Sequence, residues 1–198
     1  MRTKTKTKIV AKPEPEALSC FRADCSGQPD FRYHRYFWKE SGPRTGIAAT
    51  VRAKLQPAGH QAARHDLLLP PTSPGEYSDL DHLLARFDAT QPSIERNGFA
   101  QFTIDLSSDL PLHVSWEEIR AWVRAYFVSR LQLAALMVLH APFMAGSAND
   151  PHVHILLPAR RLSANGFGLH ARDVCCDEGH AEAQRDWNAF RAAGQFNA

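Results

Sequence analysis

The chain has 198 residues, enough for one domain with a packed core, and is 44% hydrophobic and 22% charged with a formal net charge of +2. It holds no run of about 18 apolar residues, so no membrane span is expected, and its start, MRTKTKTKIVAKPEPEA, lacks the apolar stretch of a secretory leader. A cytoplasmic protein follows, with Cys20, Cys25, Cys175 and Cys176 read as reduced thiols because the adjacent last pair makes no disulfide framework.

The charge is uneven. Arg2, Lys4, Lys6, Lys8 and Lys12 occur with no acid among the first twelve residues; removing these five charges from +2 leaves −3 for residues 13–198. Residues 1–30 show no periodicity, include KPEPEA and CSGQPD, and are expected to form a basic, disordered arm. Such an arm suits phosphate contact through counterion release, and equally a solvated tail.

A single domain is expected over 31–198. FRYHRYFWKE alternates as a first strand, with Phe31, Tyr33, Arg35 and Phe37 on one side and Arg32, His34, Tyr36 and Trp38 on the other. SGPRTG makes a turn, and IAATVRAKLQ a short helix that ends before Pro57 and Gly59. After the apolar run HDLLLP, SDLDHLLARFDAT places Leu80, Leu83, Leu84 and Phe87 at helical spacing behind a cap at Ser78 or Asp79. FAQFTIDL alternates as a strand with Phe102, Ile104 and Leu106 inward and one wet side.

The spacing predicts a helix over 115–131, opened by the capping box SWEE, with Ile119, Trp122, Val123, Tyr126 and Phe127 as its apolar stripe. AALMVLH reads as a strand buried on both faces, HVHILLP as its neighbour, and HAEAQRDWNAFRAA as a final helix. This order implies an α+β fold: a mostly antiparallel central sheet flanked by helices.

Three histidines stand out. His152 and His154 are two apart on a strand and so share a face. His140 ends the preceding strand; if the two strands form a hairpin, it falls beside that pair. Three convergent imidazoles with open coordination positions can hold a divalent cation that also touches water or phosphate. The plain alternative is three polar strand-end residues with no ligand. In the His-rich nucleotide hydrolases a further alternate histidine would fall on Leu156, so that class does not match.

NDPHVHILLPARRLSANGFG, with AALMVLH before it and EAQRDWNAFR after it, resembles the MobA/MobL family of plasmid mobilisation relaxases, the His-hydrophobic-His (HUH) endonucleases. The resemblance covers residues 95–192 well and 31–94 loosely. It implies a relaxase-like fold and a nickase of single-stranded DNA at an origin of transfer, working in conjugation with accessory relaxosome proteins. It also implies Mg2+ or Mn2+ held by His140, His152 and His154, and a tyrosine that takes the 5′-phosphate while a 3′-hydroxyl departs. Arg160 and Arg161 would contact phosphate or else lie as solvent-exposed strand-end residues; Arg52 also falls at a substrate-binding position.

The family's tyrosine aligns with Val51, which has no nucleophilic group. Tyr33 and Tyr36 on the first strand are the substitute candidates; Tyr77 follows a Pro-rich loop, and Tyr126 belongs to the helix stripe. The alternative is a relaxase-like DNA-binding module that has lost its nucleophile.

Overall fold

Alternating side chains and short turns build one large sheet, here in a computed structural model that describes residues 18–23, 25, 30–40, 44–56, 62–106, 109–176 and 178–194. The five cations of the N-terminal arm, and Pro57 and Gly59, lie outside the described residues. Six strands pair in the order β1-β2-β4-β6-β5-β3: β1 (Leu18–Ala23), β2 (Phe31–Trp38), β3 (Arg64–Leu68), β4 (Asn97–Asp105), β5 (Ala135–His140) and β6 (His152–Pro158). Every ladder is antiparallel. The expected α+β architecture is therefore present.

Helices cover both faces. On one face α3 (Leu112–Val123), the π-helical turn Arg124–Arg130 and α4 (Gly179–Ala192) pack Trp122, Phe127 and Trp187 against Phe31, Phe102 and Ile155. On the other, α1 (Ile47–Leu55) and α2 (Leu80–Ala89) pack Ile47, Val51, Leu84 and Phe87 against Phe99, Leu136 and Leu156. Asp79 caps α2 by accepting from the His82 N–H at 2.8 Å. The hairpin β7 (Arg160–Ser163) and β8 (Gly166–His170) closes the far end of β6.

Four details differ from the sequence reading. Residues 18–23, expected as irregular arm, form the edge strand β1 on β2. The third helix starts at Leu112, because the Pro111 carbonyl accepts from the Val114 and Ser115 N–H groups at 3.0 and 3.1 Å. Ser115 thus lies inside the helix and SWEE is no capping box; beyond Val123 the chain continues as a π-helical turn. The Gly-Phe-Gly segment, which the family resemblance implies is a turn, lies in β8, the turn being Ala164–Asn165, followed by Gly166 at φ +85°, where a Cβ would also lie 2.7 Å from the Tyr77 hydroxyl.

The fourth concerns β4. Its polar side was expected to be wet, but Gln101 and Thr103 are each only 2% exposed. The next section gives their partners.

Candidate functional site

The β5–β6 hairpin does what the histidine spacing predicts. His140 pairs with His152, and His154, two residues on, returns to the same face beside Val138. The three rings contact one another edge to face, with centroids 5.2 Å apart for His140 and His152 and 4.8 Å for each pair that includes His154. One ligand nitrogen from each lies within 4.8 Å of the others.

Each ring is held through one nitrogen by a different part of the chain. His140 Nε2 donates to the Lys54 carbonyl, in the last turn of α1, at 2.7 Å. His152 Nδ1 donates to the Asp150 carbonyl at 3.0 Å. A carbonyl only accepts, so both protons are placed, and the lone pairs belong to His140 Nδ1 and His152 Nε2. His154 Nδ1 meets the Thr103 hydroxyl of β4 at 2.8 Å and the Gln101 amide nitrogen at 3.3 Å.

His154 is neutral. Burial first, then the positive charge of Lys54 and the neighbouring imidazoles, pushes its pKa down to about 2. Three imidazoles, each anchored through one nitrogen with the other within reach of a common point, are what a metal ion requires, so the residues present fit a divalent cation.

Beside the histidines runs a groove of about 430 Å3, formed where β1, β2 and β4 present one face that α1 only partly covers. His154 and Thr103 form one wall; Arg22, Arg32 and Lys54 bring three cations to it. Arg32 is ion-paired with Asp105, the residue opposite His152. Burial raises the Asp105 pKa, with Arg32 and His152 acting against that rise.

Sequence reasoning missed Arg22 and Lys54. Strand alternation was the signal for Arg22: once β1 is paired, it lies opposite His34, on the His154 face. Lys54 needed the docking angle of α1, which no local pattern carries.

The two candidate tyrosines part company. Tyr33 is 1% exposed on the opposite, helix-packed side, near Phe102 and His180, and its hydroxyl donates to the Val174 and Cys176 carbonyls at 2.7 and 3.1 Å. Tyr36 lines the groove, its ring stacked on Phe99 at 4.3 Å. Burial, then Cys20, pushes the Tyr36 pKa up to about 12. Val51, where the resemblance places a tyrosine, is 4% exposed in the core beneath α1. Tyr77 and Tyr126 are likewise buried.

The candidate phosphate arginines sit elsewhere in structural contacts. Arg160 donates to the Gly168, Phe167 and Thr90 carbonyls at 2.9, 2.7 and 2.6 Å. It lies past the far end of β6, six residues or about 20 Å from His154 by strand rise. Arg161 reaches the Leu131 carbonyl and Asp173, and Arg52 pairs with Asp81 at 2.7 Å across α1 and α2.

No protein-family model matches the sequence, and comparison with curated proteins also finds no match. Comparison with solved structures finds matches, among them a chain described as "Molecular Basis of Vancomycin Resistance Transfer in Staphylococcus aureus". The superposition has a TM-score of 0.62 at 15% identity and covers 85% of this chain and 95% of that one. At that identity the likeness is one of fold: the chain shares the fold of that protein and carries a histidine triad that could hold a metal ion.

Proposed function

We propose that the chain is a metal-dependent endonuclease and strand transferase of the MobA/MobL kind, acting on single-stranded DNA in plasmid mobilisation. The observation that supports this most is the convergence of His140, His152 and His154 on a relaxase-like fold, next to a groove lined by three cations. The domain boundary is proposed at residue 18 rather than 31, because β1 completes the sheet edge that carries Arg22.

His140 Nδ1, His152 Nε2 and His154 Nε2 would hold the metal. When bound, it polarises the scissile phosphate and offsets charge on the non-bridging oxygens. Mg2+ or Mn2+ is the proposed ion, and Mn2+ serves as the probe in titrations. Arg22, Arg32 and Lys54 bind flanking phosphates and orient the strand along the groove. Tyr36, which lines the groove and whose hydroxyl is not tied to the Val174 and Cys176 carbonyls as that of Tyr33 is, attacks phosphorus through that hydroxyl. Its proton leaves to solvent, a tyrosine–phosphate bond forms to the 5′ side, and the 3′ oxygen departs and is protonated.

A second reading is favoured by one specific observation. With its pKa pushed up to about 12, Tyr36 is a poor nucleophile until a cation lowers that value. In this reading the chain is a metal-dependent DNA-binding module that does not cleave. Incubation with a labelled single-stranded oligonucleotide and Mn2+, followed by denaturing electrophoresis and peptide mapping, separates the two. An adduct at Tyr36 is expected; Mn2+-dependent binding without an adduct assigns the binding module; neither adduct nor binding rejects both.

A further inference from the structure

We propose that Thr103 and Gln101 are positioning residues that set the proton of His154, making that ring a metal ligand through Nε2. This rests on the metal reading above.

The polar side of β4 is dry where strand alternation leads one to expect water. Gln101 and Thr103 are each 2% exposed, and His154, opposite Thr103 in the ladder, is 8% exposed. Buried polar groups persist only when paired, since an unsatisfied one costs about 1–3 kcal/mol. The three form one chain: Gln101 Nε2 lies 3.1 Å from Thr103 Oγ1, which lies 2.8 Å from His154 Nδ1. Other sheet positions facing α1 and α2, such as Leu136 and Leu156, are apolar, so a polar pair placed opposite His154 has a specific use.

The proton count gives that use. A neutral imidazole carries one N–H, and Nε2 can ligate only if the proton sits on Nδ1. Thr103 Oγ1 must then accept from Nδ1–H. Its own O–H needs an acceptor, and the Gln101 Oε1 atom, buried without a hydrogen-bond partner among the described residues, supplies one once the amide turns over by 180°. The relay His154 Nδ1–H to Thr103 Oγ1, and Thr103 O–H to Gln101 Oε1, fixes both tautomer and ring plane. With the amide nitrogen toward Thr103, the hydroxyl instead donates to Nδ1 and the proton moves to Nε2, which blocks ligation. The Gln101 amide thus selects between a ligating and a non-ligating ring.

The test has a metal-free arm and a metal arm. Ring 15N shifts of His154 in the metal-free protein report the tautomer directly: Nδ1–H is expected in the wild type, and Thr103→Val is expected to lose that preference. In Mn2+ titrations, Thr103→Val is expected to weaken binding about 10–100-fold, with Thr103→Ser within about threefold of wild type. Gln101→Met, which keeps volume and removes both polar atoms, gives the same direction if Thr103→Val does not fold. An Nε2–H tautomer in the wild type, or unchanged tautomer and Mn2+ affinity in Thr103→Val, overturns the proposal. If wild-type protein takes up no Mn2+, the metal reading fails, while an Nδ1–H ring that depends on Thr103 still supports the positioning role.

Discussion

His152→Ala separates a metal site from three polar strand ends. His152 is only partly buried, and its ring hydrogen-bonds to the Asp150 carbonyl of its own chain segment. Removing it therefore leaves the metal-free fold nearly unchanged, within about 1 kcal/mol as for an ordinary neutral hydrogen bond. Loss of one of three ligand nitrogens within 4.8 Å, in contrast, removes the coordination set. At a Mn2+ concentration about 100 times the dissociation constant, binding to the folded state alone adds about 2.7 kcal/mol. For a chain of this size that raises Tm by about 5–10 °C. Thermal unfolding with Mn2+ and with chelator should show that rise in wild type and none in His152→Ala, while the chelator curves nearly coincide. An equal Mn2+ shift in both proteins would refute the reasoning.

Other perturbations address the groove and the tyrosines. Tyr36→Phe should abolish any covalent adduct and keep DNA binding. Tyr33→Phe should leave the adduct intact and cost about 1–3 kcal/mol in urea unfolding, because the Val174 and Cys176 carbonyls lose a buried donor. Arg22→Gln should weaken oligonucleotide binding across sequences and lower the salt slope by about one; an unchanged slope would remove Arg22 from the DNA path. His34, facing the groove, has its pKa pushed down to about 4 by burial first and then by Arg22, Lys54 and Arg32. Its folded value lies below the unfolded 6.5, so the stability it contributes is complete above pH 6.5 and is lost as pH falls through about 4. The effect is modest for a half-exposed ring. His34→Gln should flatten urea midpoints measured between pH 7 and 4.

The histidine hairpin was legible because it depends on strand period and short-range pairing alone. Val153 and Ile155 share one side of β6, so His152 and His154 share the other. The stripe from Ile119 to Phe127 was legible for the same reason at helical period. What was missed depends on tertiary placement. LSCFRA is too short to be distinguished from the irregular arm until β2 pairs with it. The role of Tyr33 depends on the Val174 and Cys176 carbonyls, 141 and 143 residues away. Gln101 and Thr103 read as a wet strand face because alternation reports which residues share a side, and says nothing of whether that side meets solvent. Only the register Thr103 opposite His154 turns an ordinary polar alternation into part of a site.

Charge on the sheet face makes one more outcome calculable in direction. Arg22, Arg32 and Lys54 approach the groove, and Asp105 is already paired with Arg32. Burial first, and then Arg22, depress the Lys54 pKa against the opposing pull of Cys20. A divalent cation on the triad adds two more positive charges. The field is relieved when a polyanion enters the groove, so metal and single-stranded DNA should each raise the affinity for the other by the same factor, as linkage requires. Couplings of this kind run at about 1–3 kcal/mol, and a tenfold tightening of Mn2+ by a saturating oligonucleotide, about 1.4 kcal/mol, is the expected size. Added salt should shrink it, because exposed charges are screened over about 10 Å at 0.1 M. Mn2+ affinity that does not respond to oligonucleotide would mean that the groove and the triad are not parts of one site.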